Sequence, residues 1–356
     1  MRLYFFITLM CVCLLTPSRA QAKDHIYKYH LQTGFEWDSN IFKNFSQKKK
    51  GFLFRALLHH NIELANTDRF KAKIKYNSGG KIFFLEPEQN LMIHGLDIPM
   101  QWRYKNGFGL RLNTSVKYQN ENNMTDPQNL DLNEDFLSVR ERFDLQLIDT
   151  KKNKFSFQGH LGYFHFFPRT SFGFFDQHLA IDYRHQLHSK IWGGVSYAAG
   201  FEQFKRSKRK DHTHQWTAQL QAFFIPYISL KYHFELNRSS NPLFDSDGHR
   251  ITFLLSHLFK GISQEDQEKG MFSVHFLATL LLKNFPSVTS ETIEGERFLV
   301  TGAEDQNFNQ LTLKLAYHLH QKWALEAKYS RFSNDLTSQN ISFSRNLIYL
   351  GLRAKM

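Results

Sequence analysis

Lysine and arginine recur at every second position along several stretches of this chain, and that spacing decides what they could do. In "RFKAKIKY" Lys71, Lys73 and Lys75 alternate with Phe70, Ala72, Ile74 and Tyr76. Successive side chains of an extended strand point to opposite faces, so the three lysines share one face. Like charges in a row repel unless an anionic group visits them or acids on neighbouring strands compensate them. "GFGLRLNTSVKYQ" sets Arg111 and Lys117 opposite Leu110, Leu112, Val116 and Tyr118, and Arg140 and Arg142 alternate in the same way further on. The same alternation puts Lys28, Arg184, Lys190, Arg250, Lys314, Lys328, Arg353 and Lys355 on polar faces. Fewer acids join them: Glu36, Asp144, Asp182, Glu202 and Glu326. Around a pore, such bases favour anionic solutes. The plain alternative is a polar interior whose bases are paired to acids across strands.

Other chemistry finds less support. An acyl hydrolase needs a serine within reach of a histidine. Ser256 and His257 are adjacent on a strand pattern, so they point to opposite faces and cannot pair. "SSNP" near Ser240 offers no histidine. The chain has 18 histidines. The closest pairs are His59/His60, His185/His188, His212/His214 and His318/His320, and none shows the spacing of a zinc site. The acidic stretches 121–134 and 290–296 lack calcium-loop spacing. No metal or other cofactor is expected. The basic stretch "KRSKRKDH", Lys205 to His212, could meet the phosphates of lipopolysaccharide or stay solvated.

The elements that must position these residues are strands. Aromatic residues make up 15% of the chain, with 36 Phe and 14 Tyr, yet mean hydropathy is −0.46. That combination suits a barrel alternating lipid-facing and water-facing residues. No run of 18 apolar residues exists, so no transmembrane helix is expected. Period-two patterning predicts strands near 26–37, 51–64, 69–77, 92–104, 107–118, 135–148, 154–166, 174–187, 190–204, 214–224, 227–237, 250–259, 271–283, 309–319, 322–332 and 342–356. The expected short turns lie at 66–68, 105–107, 149–153, 188–190, 225–227, 260–270 and 320–322. The expected long loops lie at 38–50, 78–91, 119–134, 167–173, 205–213, 238–249, 284–308 and 333–341. Short and long alternate, as in a membrane barrel; only 260–270 is longer than its place predicts. The last stretch, "ISFSRNLIYLGLRAKM", ends on an amphipathic strand whose open edge needs a partner. In a closed barrel that partner is the first strand. The expected fold is all-β: a transmembrane antiparallel up-and-down β-barrel of about 16 strands, within a range of roughly 14–18.

The N-terminus carries Arg2, an apolar run from Leu3 to Leu15 and the small-residue site Ala20 to Ala22. This is the pattern of a secretory signal peptide over 1–22, leaving 23–356 as the barrel. Both cysteines, Cys11 and Cys13, fall in the leader, so the mature chain is expected to lack disulfides. The net charge of +12 then points to anionic lipid or an anion-attracting lumen, and secretion argues against nucleic acid.

Both ends resemble known families. "GFEWDSNIFKN", Gly34 to Asn44, resembles the G-x-x-Tyr/Trp-Asp-Ser/Asp-Asn opening of several proteobacterial outer-membrane barrels. These include exopolysaccharide-associated barrels and the barrel half of surface lipoprotein assembly modifiers. "YSRFSNDLTSQNISFSRNLIYLGLRAKM" is similar to the last hairpin of the same group, except that Met356 stands where those families end in Phe. The helical repeats of the assembly modifiers are missing. The Asp38-Ser39-Asn40 run is also a good turn former in its own right. The resemblance implies an outer-membrane barrel inserted by the barrel-assembly machinery, with both termini periplasmic and lipopolysaccharide around it. The expected function is a channel for anionic or polar solutes or a secreted polysaccharide, not an enzyme. A non-conducting barrel that binds, scaffolds or assists lipoprotein assembly is the alternative. Lys71, Lys73, Lys75, Arg111, Lys117, Arg140 and Arg142 are the expected solute-contacting residues.

Overall fold

The computed structural model describes residues 27–39, 49–104, 108–121, 135–167, 173–205, 208–259, 271–284, 309–320, 322–336 and 341–355. The expected leader, Met356, the turn 260–270 and most of the loops 38–50, 119–134 and 284–308 lie outside these residues. Sixteen strands are present among the described residues: β1 Tyr27–Asp38, β2 Gly51–Asn66, β3 Phe70–Phe83, β4 Leu91–Arg103, β5 Gly109–Glu121, β6 Asp135–Asp149, β7 Asn153–Phe167, β8 Phe174–His188, β9 Ile191–Phe204, β10 Lys210–Phe223, β11 Tyr227–Ser239, β12 Ser246–Phe259, β13 Met271–Asn284, β14 Asn309–His320, β15 Trp323–Leu336 and β16 Ile341–Lys355. Each pairs antiparallel with its sequence neighbours, and β1 pairs with β16 to close the barrel. The closing register runs from His30 opposite Lys355 to Asp38 opposite Leu347. The last strand therefore finds its edge partner in the first, and no open edge remains.

The strands are 12 to 16 residues long, more than the roughly 9–11 that a tilted spanning strand needs. Alternation sorts their side chains. Phe35, Phe52, Leu161, Leu179, Val195 and Leu350 stand more than half exposed on the outer face. That is where lipid would cover them. The inner face is polar. Its apolar groups include Leu53 and Phe83, packed together on β2 and β3, and an aromatic row in which Phe136, Phe164, Phe174 and Phe204 follow one another from β6 to β9.

Connections at one rim are short, except for the 11 residues between Phe259 and Met271. Thr67 and Thr150 each close such a turn, their hydroxyl accepting a backbone N–H three residues on, from Phe70 at 2.9 Å and Asn153 at 2.9 Å. The longer connections gather at the other rim and include two single 3-10 turns, Pro87–Gln89 and Pro242–Phe244.

Several expected boundaries move. The loop expected from residue 78 is strand as far as Phe83. Gly79 is tolerated there because a Cβ would lie 2.3 Å from the Leu57 side chain, so glycine makes the room that side chain occupies. The extension matters, since it carries Lys81 onto the inner wall. β10 begins at Lys210 rather than 214, β12 at Ser246 rather than 250, and β15 runs to Leu336 rather than 332. Lys190, expected on a strand face, is a turn residue between β8 and β9 with its ammonium 5.9 Å from the Phe224 ring.

Candidate functional site

The lumen wall is built from alternate residues of all sixteen strands, and its charges fall into distinct groups. The first spans the closing seam. Glu36 of β1 is 2% exposed. It accepts hydrogen bonds from Lys81 Nζ at 2.7 Å and Arg55 Nη1 at 3.4 Å. Asp38, with no exposed surface, accepts two bonds of 3.0 Å from Arg345 Nε. Glu326 of β15 takes Lys314 at 2.8 Å, Arg353 at 3.2 Å and the Gln32 amide at 2.6 Å. Lys328 stands directly opposite Lys314 in register, with no carboxylate within 4.0 Å among the described residues. Low dielectric makes each buried carboxylate costly unless paired, which is why every one here holds at least one base.

The seam also explains the terminal motifs. Tyr349 of β16 lies across Gly34 and Gly351. A Cβ at Gly351 would sit 2.0 Å from the Tyr349 hydroxyl, and one at Gly34 would sit 2.7 Å from its ring. The hydroxyl donates to the Thr33 carbonyl at 3.0 Å. Ser39 and Asn346 exchange bonds across the same pair: Ser39 N–H donates to the Asn346 carbonyl at 3.0 Å, and Asn346 N–H donates to Ser39 Oγ at 2.7 Å. The residues of "GFEWDS" and "SRNLIYLGL" thus serve as each other's partners.

Lys71, Lys73 and Lys75 share the inner face of β3, as alternation requires. Lys73 reaches Glu63 at 3.9 Å. Lys75 stands opposite Asp97 in register, but Asp97 accepts from Asn77 at 3.4 Å instead. No carboxylate lies within 4.0 Å of Lys71 or Lys75 among the described residues. Arg111 meets Asp144 at 3.5 Å, Lys117 lies 4.8 Å from the centre of the Phe136 ring, and Arg140 approaches Asp176 at 3.8 Å. Arg142 faces inward with no carboxylate within 4.0 Å among the described residues. The seven expected residues therefore share the β3, β5 and β6 wall but differ in compensation.

Three features escaped sequence reasoning. Ser256 Oγ lies 2.8 Å from His275 Nδ1 on the neighbouring strand, whereas His257 faces outward against Phe259. Among the described residues no carboxylate hydrogen-bonds His275, so the pair lacks the orienting acid of a hydrolase. Arg209, in the basic stretch expected to meet lipopolysaccharide phosphates or stay solvated, is 5% exposed. Its guanidinium is 3.8 Å from the ring centres of both Phe204 and Phe244, and its Nε is 3.1 Å from Asp211. The third is a cluster of His160, Asp176 and His178 on β7 and β8. Pattern alone gives none of these, because each depends on which residues the hairpin register sets side by side.

No protein-family model matches the chain, and no curated protein sequence is similar to it. A bacterial polysaccharide outer membrane secretin superposes with a TM-score of 0.50 and 9% identity, over 92% of this chain and 98% of that one. CdiB from Acinetobacter baumannii superposes with a TM-score of 0.52 and 8% identity, over 93% of this chain and 60% of CdiB. The chain thus spans less than two thirds of CdiB. A looser likeness runs to an anion-selective porin from Comamonas acidovorans, with a TM-score of 0.46 and 11% identity over 93% and 98% of the two chains. At such identities the likeness bears on fold alone. The chain has the closed antiparallel barrel of outer-membrane proteins, and the resemblance of its ends to particular barrel families goes no further than that architecture.

Proposed function

We propose that this barrel is an outer-membrane channel whose lumen favours anionic or polar solutes, a secreted glycan among them. The observation that carries the proposal is uncompensated inward charge. Lys71, Lys75, Arg142 and Lys328 face the lumen with no carboxylate within 4.0 Å among the described residues, and Lys328 stands opposite a second lysine, Lys314. Like charges directly opposite each other destabilise a sheet. A wall that keeps them gains something from a transient anionic partner. In this proposal the leader 1–22 directs export, the barrel-assembly machinery inserts residues 23–356, and the short-turn rim with both termini faces the periplasm. The long connections then face outward, towards lipopolysaccharide.

Refolded mature protein in a planar bilayer tests this. Discrete conductance steps are expected, with a reversal potential in a salt gradient that reports anion preference. Absence of conductance from protein that keeps a folded, heat-modifiable gel mobility would overturn the channel and leave a barrel that binds or scaffolds.

A further inference from the structure

One cluster of the inner wall has a chemistry that solute passage does not use. His160 of β7 and His178 of β8 stand directly opposite each other in register. Their rings stack at 4.5 Å and 23°. Asp176 is two residues along β8 on the same face, and its Oδ2 lies 2.7 Å from His160 Nε2. One ligating atom from each of the three lies within 4.8 Å of the others. Tetrahedral zinc, with nitrogen and oxygen ligands near 2.0–2.2 Å, sets its donors roughly 3.3 Å apart. Small side-chain rotations therefore suffice to converge them.

The surroundings are shaped for this cluster. A Cβ at Gly162 would lie 1.7 Å from Asp176 Oδ1, and one at Gly200 would lie 2.4 Å from His178 Nδ1. Glycine on each flanking strand leaves the space that the two side chains fill. Asp176 is 4% exposed, and its Oδ1 is buried without a hydrogen-bond partner among the described residues. An orphaned buried carboxylate oxygen is costly, and a bound cation would satisfy it. Arg140, at 3.8 Å from Oδ2, is too distant to hydrogen-bond and does not reach Oδ1. Glu202 of β9 is the register partner of Asp176 and holds no ion pair among the described residues. It offers a second carboxylate beside the first.

We propose that His160, Asp176 and His178 form a divalent transition-metal site on the lumen wall, suited to Zn2+ by its imidazole and carboxylate donors, with Glu202 adding charge or a fourth ligand. The site belongs to the wall whether or not the lumen conducts.

Metal-free, refolded mature barrel titrated with Zn2+ by calorimetry tests this. One tight equivalent is expected. In H160Q/H178Q affinity should fall by roughly tenfold or more, since even indirect ligand support is worth 10–100-fold. His94→Gln, which alters an outward histidine bonded to Tyr76, should leave that equivalent intact. Cu2+ bound to the unaltered protein should show nitrogen superhyperfine structure in its electron paramagnetic resonance spectrum. D176N provides a second variant if the double one fails to fold. Zn2+ uptake that is absent from the folded barrel, or equal in the folded ligand variant and the parent, would overturn the site.

Discussion

At the scale of single residues, the seam leaves no slack around Gly34, Tyr349 and Gly351. The space that a Cβ would need is taken at Gly34 by the Leu350 carbonyl oxygen, 2.2 Å away, and the Tyr349 ring, and at Gly351 by the Tyr349 hydroxyl and the Thr33 carbonyl oxygen. Gly34→Ala or Gly351→Ala should therefore push the ring off its floor and break its bond to the Thr33 carbonyl. Overpacking of this kind costs about 1–3 kcal/mol. The expected outcome is a lower temperature for loss of the folded gel band, with little change for Gly248→Ala, where the nearest atom to a new Cβ is 3.7 Å away. Equal losses at all three positions would mean that close packing at the seam does not set the requirement for glycine. The spacing of these residues was legible as a motif from the amino-acid order. Their purpose was not, because Gly34 and Gly351 are 317 positions apart in sequence and meet only on closure. By residue type the Asp38-Ser39-Asn40 run is a turn former; in the structure Asp38 holds Arg345 and Ser39 holds the Asn346 backbone.

At the scale of strands, closure joins the first strand to the last, and the Asp38–Arg345 pair sits near one end of that seam. Asp38 has no exposed surface. Replacing Arg345 takes a base from a fully buried carboxylate, and breaking a buried pair in this way costs about 3–5 kcal/mol. Arg345→Ala should lower the midpoint of urea unfolding in lipid or detergent, and the swap D38R/R345D should recover part of the loss. If the swap is as unstable as the single variant, the pair acts through local packing and not through charge. Strand identity was legible here because alternation is strict: every expected strand exists, and Phe35 and Glu36 fall on the faces that period two assigns. What alternation could not supply is where a strand stops. β3 passes through Gly79 and Gly80, residues that ordinarily mark a loop, because Leu57 fills the space beside Gly79. Nor could it pair strands at a given offset. His160 meets His178, and Ser256 meets His275, only through hairpin register, so their spacings carry no signature of their own.

At the scale of the whole barrel, the proposed channel raises the question of whether fixed charge on the wall governs passage. The chain carries a net +12, but part of the inner charge is offset by acids, as at Glu36, Asp38 and Glu326. Selectivity should then depend on the residual cations, Lys71, Lys75, Arg142 and Lys328, and on how far their field reaches across the lumen. Salt sets that reach. The Debye length is roughly 10 Å at 0.1 M and 3 Å at 1 M. Fixed charges on the wall therefore reach farther into the lumen in dilute salt than in concentrated salt. The anion-to-cation permeability ratio from reversal potentials should accordingly be larger in gradients near 0.1 M than near 1 M. In K71E/K73E/K75E the ratio at low salt should fall towards unity or invert, while the ratio at 1 M changes much less. Lys73 is included because its Glu63 contact, at 3.9 Å, is loose enough to leave part of its field unscreened. Lys328→Glu should act in the same direction from the opposite side of the seam. A ratio indifferent to both ionic strength and these substitutions would place selection in a physical constriction and not in the charge of the wall.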